Sequence, residues 1–128
     1  MGGTLAVDFD GVIHRYGRGW QDGTIYDPPM PGALDALRTL MQEFAVFIHT
    51  AREPQQVIPW LENYGFDCAP DDQGLRFWNR RGVLLVTSRK LPAKYYLDDR
   101  AVHFTTWAAA LDELLPRDVD NPLGDRHA

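Results

Sequence analysis

Asp8-Phe9-Asp10-Gly11 closes the first apolar run of the chain, Thr4-Leu5-Ala6-Val7. Residues two apart in an extended segment face the same side, so both carboxylates address one point at the end of a strand. One carboxylate of such a pair can attack phosphorus, an aspartyl phosphate being a known covalent intermediate. The other can protonate the leaving oxygen and later take a proton from water. Gly11 permits the sharp turn that leaves both exposed. Asp and Gly are also ordinary turn formers, so the pattern gains weight only from its companions. Thr50 follows a second apolar run, 44–48, and its hydroxyl suits a phosphoryl oxygen as well as a helix cap. Lys90 can hold an attacking carboxylate ionised and neutralise a phosphate. Lys94 competes for that role, but its place beside Tyr95 points it elsewhere. Asp98-Asp99 follow the apolar Tyr95-Tyr96-Leu97, and adjacent acids at the end of a buried strand require a cation or donors.

The elements that must position these residues follow from periodicity. Residues 4–10 read as a buried strand and 12–32, rich in Gly, Pro and aromatics, as a long loop or small hairpin. Ala33, Leu34, Leu37, Leu40, Met41 and Phe44 recur at helical spacing, and 44–48 is a second buried strand. Pro54 opens a helix with Val57, Ile58, Trp60, Leu61 and Tyr64 as its apolar face and Gly65 as its stop. Pro59 either kinks this helix or marks its true start. The polar stretch 66–78 yields no element. Strands follow at 82–87 and 95–97, with 102–104 as an edge strand. A last helix carries Trp107, Ala110, Leu111, Leu114 and Leu115, capped by Thr105 or Thr106 and closed by Pro116. The domain spans 1–116, and 117–128 is expected to be a mobile tail.

Apolar strands alternating with helices predict an α/β protein with a mostly parallel sheet. Ligands of such sheets bind outside the carboxyl ends of the strands. The clusters Asp8/Asp10, Thr50/Arg52 and Asp98/Asp99 then converge on one edge. Gathered carboxylates repel, and a hard divalent cation answers that repulsion. Few protein ligands and no required His or Cys favour Mg²⁺ over zinc, with a phosphate as the ion's other ligand.

With 128 residues the chain has length for one domain. Its net charge of −5 disfavours binding along a nucleic-acid backbone. The basic run of Arg76, Arg80, Arg81, Arg89, Lys90 and Lys94 reads as a solvated surface ahead of a binding patch. The single cysteine, Cys68, excludes an internal disulfide and reads as an inert thiol. Without an apolar span or a secretory signal, the expected location is cytoplasmic.

The order Asp8-x-Asp10-Gly11, Thr50, Lys90, Asp98-Asp99 resembles the four motifs of the haloacid dehalogenase (HAD) superfamily, over residues 7–101. The resemblance implies a three-layer Rossmann-like, HAD-like fold and Mg²⁺-dependent phosphohydrolysis through an aspartyl phosphate. It implies Asp8 as nucleophile and Asp10 as general acid and base, with the Asp10 backbone carbonyl on the metal. Thr50 would bind phosphoryl oxygens, Lys90 would stabilise charge, and Asp98 and Asp99 would complete the metal site. The gaps 12–31 and 66–89 are too short for the family's helical caps, so the chain resembles the capless subgroup. An open site of that kind takes large substrates or is covered by a partner. Leu97-Asp98-Asp99-Arg100 also resembles polynucleotide kinase-phosphatases, which implies nucleotide or polynucleotide terminal phosphates as substrates.

Arg52, His14, Arg15 and Arg100 are the expected substrate contacts, Arg being suited to bidentate phosphate binding. Trp20 and Tyr26 read as flap packing. Two rivals remain. A receiver-type phosphoacceptor domain uses similar residues, but its acidic pair comes first and its Thr follows a lone acceptor Asp. A non-catalytic phosphate- or nucleotide-binding HAD-like module would lack an essential residue, and none is missing here.

Overall fold

The computed structural model describes residues 3–17, 19, 24–98, 102–103 and 106–115. The expected tail, together with Trp20, Asp99, Arg100, Thr105 and Pro116, lies outside them. The elements run β1 (Thr4–Asp8), α1 (Ala33–Glu43), β2 (Ala45–His49), α2 (Pro54–Asn63), β3 (Cys68–Pro70), β4 (Leu84–Thr87), β5 (Tyr95–Asp98), β6 (Val102–His103) and α3 (Trp107–Leu114). One six-stranded sheet has the order β3-β4-β2-β1-β5-β6, and its pairings are parallel. The α/β, Rossmann-like architecture expected from the sequence is therefore present.

Alternation along the strands sorts side chains into two faces. Leu5, Val7, Val46, Ile48, Leu84, Val86 and Leu97 meet the apolar faces of α1, α2 and α3. Ala6, Ala45, Phe47 and Leu85 point the other way, under Trp78 and Leu91. The third layer is thus built from the irregular segments 71–83 and 88–94, with no helix among the described residues. Coverage on both faces explains why the strand interiors are apolar without polar alternation.

Local chemistry sets the element ends. Gly65, at φ 94°, stops α2, and the amides of Gly65 and Phe66 return to the carbonyls of Glu62 and Leu61. Thr106 caps α3, its side chain accepting from the Ala109 amide at 3.1 Å. Pro59 does not mark the start of α2: the helix begins at Pro54 and carries Pro59 inside it. β3 is an element the sequence did not announce, its short run Cys68-Ala69-Pro70 having no apolar pattern. Between β1 and α1, the described residues form an irregular flap, joined by bridges from His14 to Asp10 and to Pro29. No helix among the described residues is long and apolar enough to cross a membrane.

From β1 the chain crosses to β2 on one side, while β5 and β6 lie on the other. Strand order reverses at the end of β1, the place where open parallel sheets bind ligands.

Candidate active site

Asp8 ends β1 opposite His49 of β2, and His49 lies opposite Thr87 of β4. Asp98 follows Leu97, the partner of Val7, and so stands beside Asp8 across the reversal point. The preceding residues of the same parity, Ala6, Phe47, Leu85 and Tyr96, all belong to the non-helical face. Thr87, His49, Asp8 and Asp98 thus form one row across four strand ends. Asp8 is half-buried, and its Oδ1 accepts from the Phe9 amide at 3.0 Å.

Gly11 turns the chain immediately past Asp10, at φ 83°. The amides of Val12, Ile13 and His14 wrap onto the Phe9 carbonyl and bring His14 back beside Asp10. The Asp10 carboxylate accepts from Arg52 Nε at 2.9 and 3.1 Å and from His14 Nδ1 at 2.8 Å. Nε2 of His14 accepts from the Asp27 amide at 3.0 Å, so that nitrogen carries no proton and Nδ1 is the donor. His14 is fully buried between the rings of Phe9, Tyr26 and Trp60. Arg52 is likewise buried, its guanidinium also 5.9 Å from the Tyr16 ring.

His14 and Arg52 were expected as substrate contacts, and the structure places both against Asp10. Both side chains are internal and grip Asp10, because the flap folds back and closes over them. Arg15 is exposed on the flap. Thr50 is buried at the same edge, its amide donating to the Thr87 carbonyl at 2.9 Å. Its Oγ1 accepts from the Arg52 amide at 3.1 Å, and a hydroxyl that accepts one bond can still donate another.

Lys90 is exposed, with Nζ 5.4 Å from the centre of the Tyr96 ring. His49 approaches the same ring edge-on at 6.1 Å. Burial lowers the His49 pKa and Lys90 lowers it further, against the Ser88 backbone and Asp98, which raise it. Lys94, the competing lysine, donates its amide to the Thr4 carbonyl at 2.8 Å, at the opposite end of β1 from Asp8. Among the described residues no three His, Cys, Asp or Glu side chains gather closely enough to hold a metal ion. The Asp10 carboxylate is turned instead toward Arg52 and His14.

Sequence reasoning missed Asp71. Its carboxylate, 2% exposed, takes Nε and Nη2 of Arg89 at 2.6 and 2.8 Å and the Thr87 hydroxyl at 2.5 Å. The Arg89 fork, aided by Thr87 and the Gln73 amide, holds its pKa well below the usual carboxylate range despite burial. No local spacing announces a partner so far along the chain. Thr87, as a polar strand end like Thr50, was the one available signal.

Cys68 is half-buried, and burial, with Glu62 and Asp67 adding, pushes its thiol up to about 12. At pH 8 only about one thiol in ten thousand is then the reactive thiolate. Iodoacetamide should label the native chain far more slowly than the urea-unfolded chain, and equal rates would contradict the inert assignment.

The chain matches no protein-family model, and no curated protein or solved structure matches it either.

Proposed function

We propose that this chain is a magnesium-dependent phosphohydrolase of the haloacid dehalogenase type, acting on phosphate monoesters through an aspartyl phosphate at Asp8. The observation that supports it is the convergence of Asp8, Asp10, Thr50 and Asp98 on one sheet edge, at the reversal of strand order. The order of the motifs along the chain agrees.

In this reading an Asp8 oxygen attacks phosphorus and the bond to the leaving oxygen breaks. That oxygen takes its proton from Asp10. Water then attacks the aspartyl phosphate and gives its proton to Asp10, releasing phosphate and restoring the Asp8 carboxylate. Arg52 and His14 fix where the Asp10 carboxyl group stands when it takes the proton from water. The proton so gained serves the next leaving group. Thr50 donates to a phosphoryl oxygen, and the Lys90 ammonium offsets charge that grows during attack.

The oxygen chemistry of Asp8 and Asp98, on neighbouring strand ends, suits a hard divalent cation, with further ligands needed beyond these two carboxylates. Asp8, Asp98, the Asp10 backbone carbonyl and Asp99 would hold Mg²⁺. When bound, the ion neutralises and orients the phosphate. The motif Leu97-Asp98-Asp99-Arg100 brings nucleotides and polynucleotide ends into the candidate substrate set, with Arg15 exposed on the flap.

The test is a phosphate-release screen with and without Mg²⁺, over aryl phosphates, nucleotides, sugar phosphates, phosphopeptides and 3′- or 5′-phosphorylated oligonucleotides. Release that needs Mg²⁺ and stops with chelator is the expected result. No release from any class would overturn the reading in favour of a phosphate-binding module.

A further inference from the structure

An exposed lysine on an irregular loop ordinarily samples many rotamers, and fixing it opposes that entropy. Lys90 is not left in that condition. On one side of it, Arg89 is forked onto Asp71, while the Arg89 amide donates to the Thr87 hydroxyl at 3.0 Å. The same Asp71 oxygen that takes Arg89 Nε also takes the Thr87 hydroxyl, so one nearly inaccessible carboxylate ties down the backbone at 87 and 89. On the other side, the Tyr96 hydroxyl donates to the Leu91 carbonyl. The Tyr96 ring lies under the Lys90 ammonium and receives the edge of His49 as well. The loop is thus pinned at both flanks of one residue, and that residue's charge is set on an aromatic face that shares a side of the sheet with Asp8 and Asp98.

We propose that Asp71 and Tyr96 are positioning residues whose task is to aim the Lys90 ammonium at the phosphate held over Asp8. The proposal rests on the reading of Lys90 as the charge-offsetting group. It adds two residues that neither motif order nor strand-end position marks. Asp71 lies on the far edge of the sheet, beyond β3, and acts through Arg89. Tyr96 acts from beneath, through its ring and its hydroxyl. Neither touches substrate.

The experiment pairs two variants with two readouts. Asp71→Asn removes the charged acceptor of the fork, and Tyr96→Phe removes the tether to Leu91 while keeping the ring. Pulsed acetylation with mass spectrometry compares Lys90 with Lys94, which sits at the other end of the sheet and serves as an internal standard. Lys90 labelling should rise severalfold against Lys94 in each variant, as the ammonium leaves the ring. With an aryl phosphate, kcat should fall about 10- to 100-fold, with KM changing little, as expected of a misaimed group rather than a lost binding contact. Should Asp71→Asn fail to fold, Tyr96→Phe carries the test alone. An unchanged Lys90-to-Lys94 ratio overturns the proposal, even where kcat drops, because the residues would then be merely structural. A wild-type chain without phosphate release defeats the functional reading instead, while the labelling ratio still reports whether Lys90 is aimed.

Discussion

Asp8→Asn should abolish phosphate release without unfolding the protein. The amide has nearly the shape of the carboxylate, and its oxygen can still accept from the Phe9 amide, as Oδ1 does now. What disappears is the anionic nucleophile. An amide does not attack a phosphate monoester, so the covalent step has no entry, and kcat should fall by about a thousandfold or more. Stability should move the other way or not at all. Asp8 stands beside Asp98 at the strand ends, and removing one of two like charges relieves repulsion. The measurement is therefore a pair: turnover of an aryl phosphate with Mg²⁺, and the thermal midpoint of the same preparation. Acid-quenched wild-type enzyme should also carry a phosphoryl adduct on the peptide containing Asp8. Wild-type turnover in the Asn variant would remove Asp8 from the mechanism.

That prediction draws on what was most legible in the sequence. The apolar runs at 4–8, 45–49, 84–87 and 95–98 are interior strands of a sheet covered on both faces, and such strands announce themselves by composition alone. Because they are parallel, polar residues at their C-terminal ends had to meet, and Asp8, Thr50 and Asp98 do so. Cys68–Pro70 escaped because a short edge strand half open to solvent has no pattern to read. The third layer escaped for a related reason: Trp78 and Leu91 reach the core from segments without periodicity. The grip of His14 and Arg52 on Asp10 was not legible because residue type does not reveal direction. A buried Arg near a phosphate site and a buried Arg gripping a carboxylate look alike in sequence. Only the fold shows that Arg52 meets Asp10 far along the chain, and that the flap brings Asp27 onto the other nitrogen of His14. The Asp71–Arg89 fork is hidden in the same way, as a non-local pair within a polar stretch.

The buried grip on Asp10 predicts a large stability effect from a single substitution. In Arg52→Met the methionine fills much of the volume, but the Asp10 carboxylate loses the guanidinium at 2.9 Å and keeps His14. The Arg52 side chain is fully buried, whereas Asp10 is 21% exposed. Breaking a buried pair from one side costs about 3–5 kcal/mol, and partial access of water to Asp10 sets the expectation at about 3 kcal/mol. For a domain of this size that is a fall of about 10 °C in thermal midpoint. Lysine should not rescue, because one ammonium cannot copy an Nε that reaches both carboxylate oxygens from a rigid plane. Arg52→Met combined with Asp10→Asn should regain much of the loss, since most of the penalty is a buried charge without its partner. Both variants should be nearly inactive, the single one through a displaced Asp10 and the double one through its absence, so stability and activity separate the two halves of the pair. Arg52→Met within about 0.5 kcal/mol of wild type would show that the ion pair adds little to the fold. Arg52 and His14 thus tie Asp10, the acid and base of the proposed mechanism, to the buried interior.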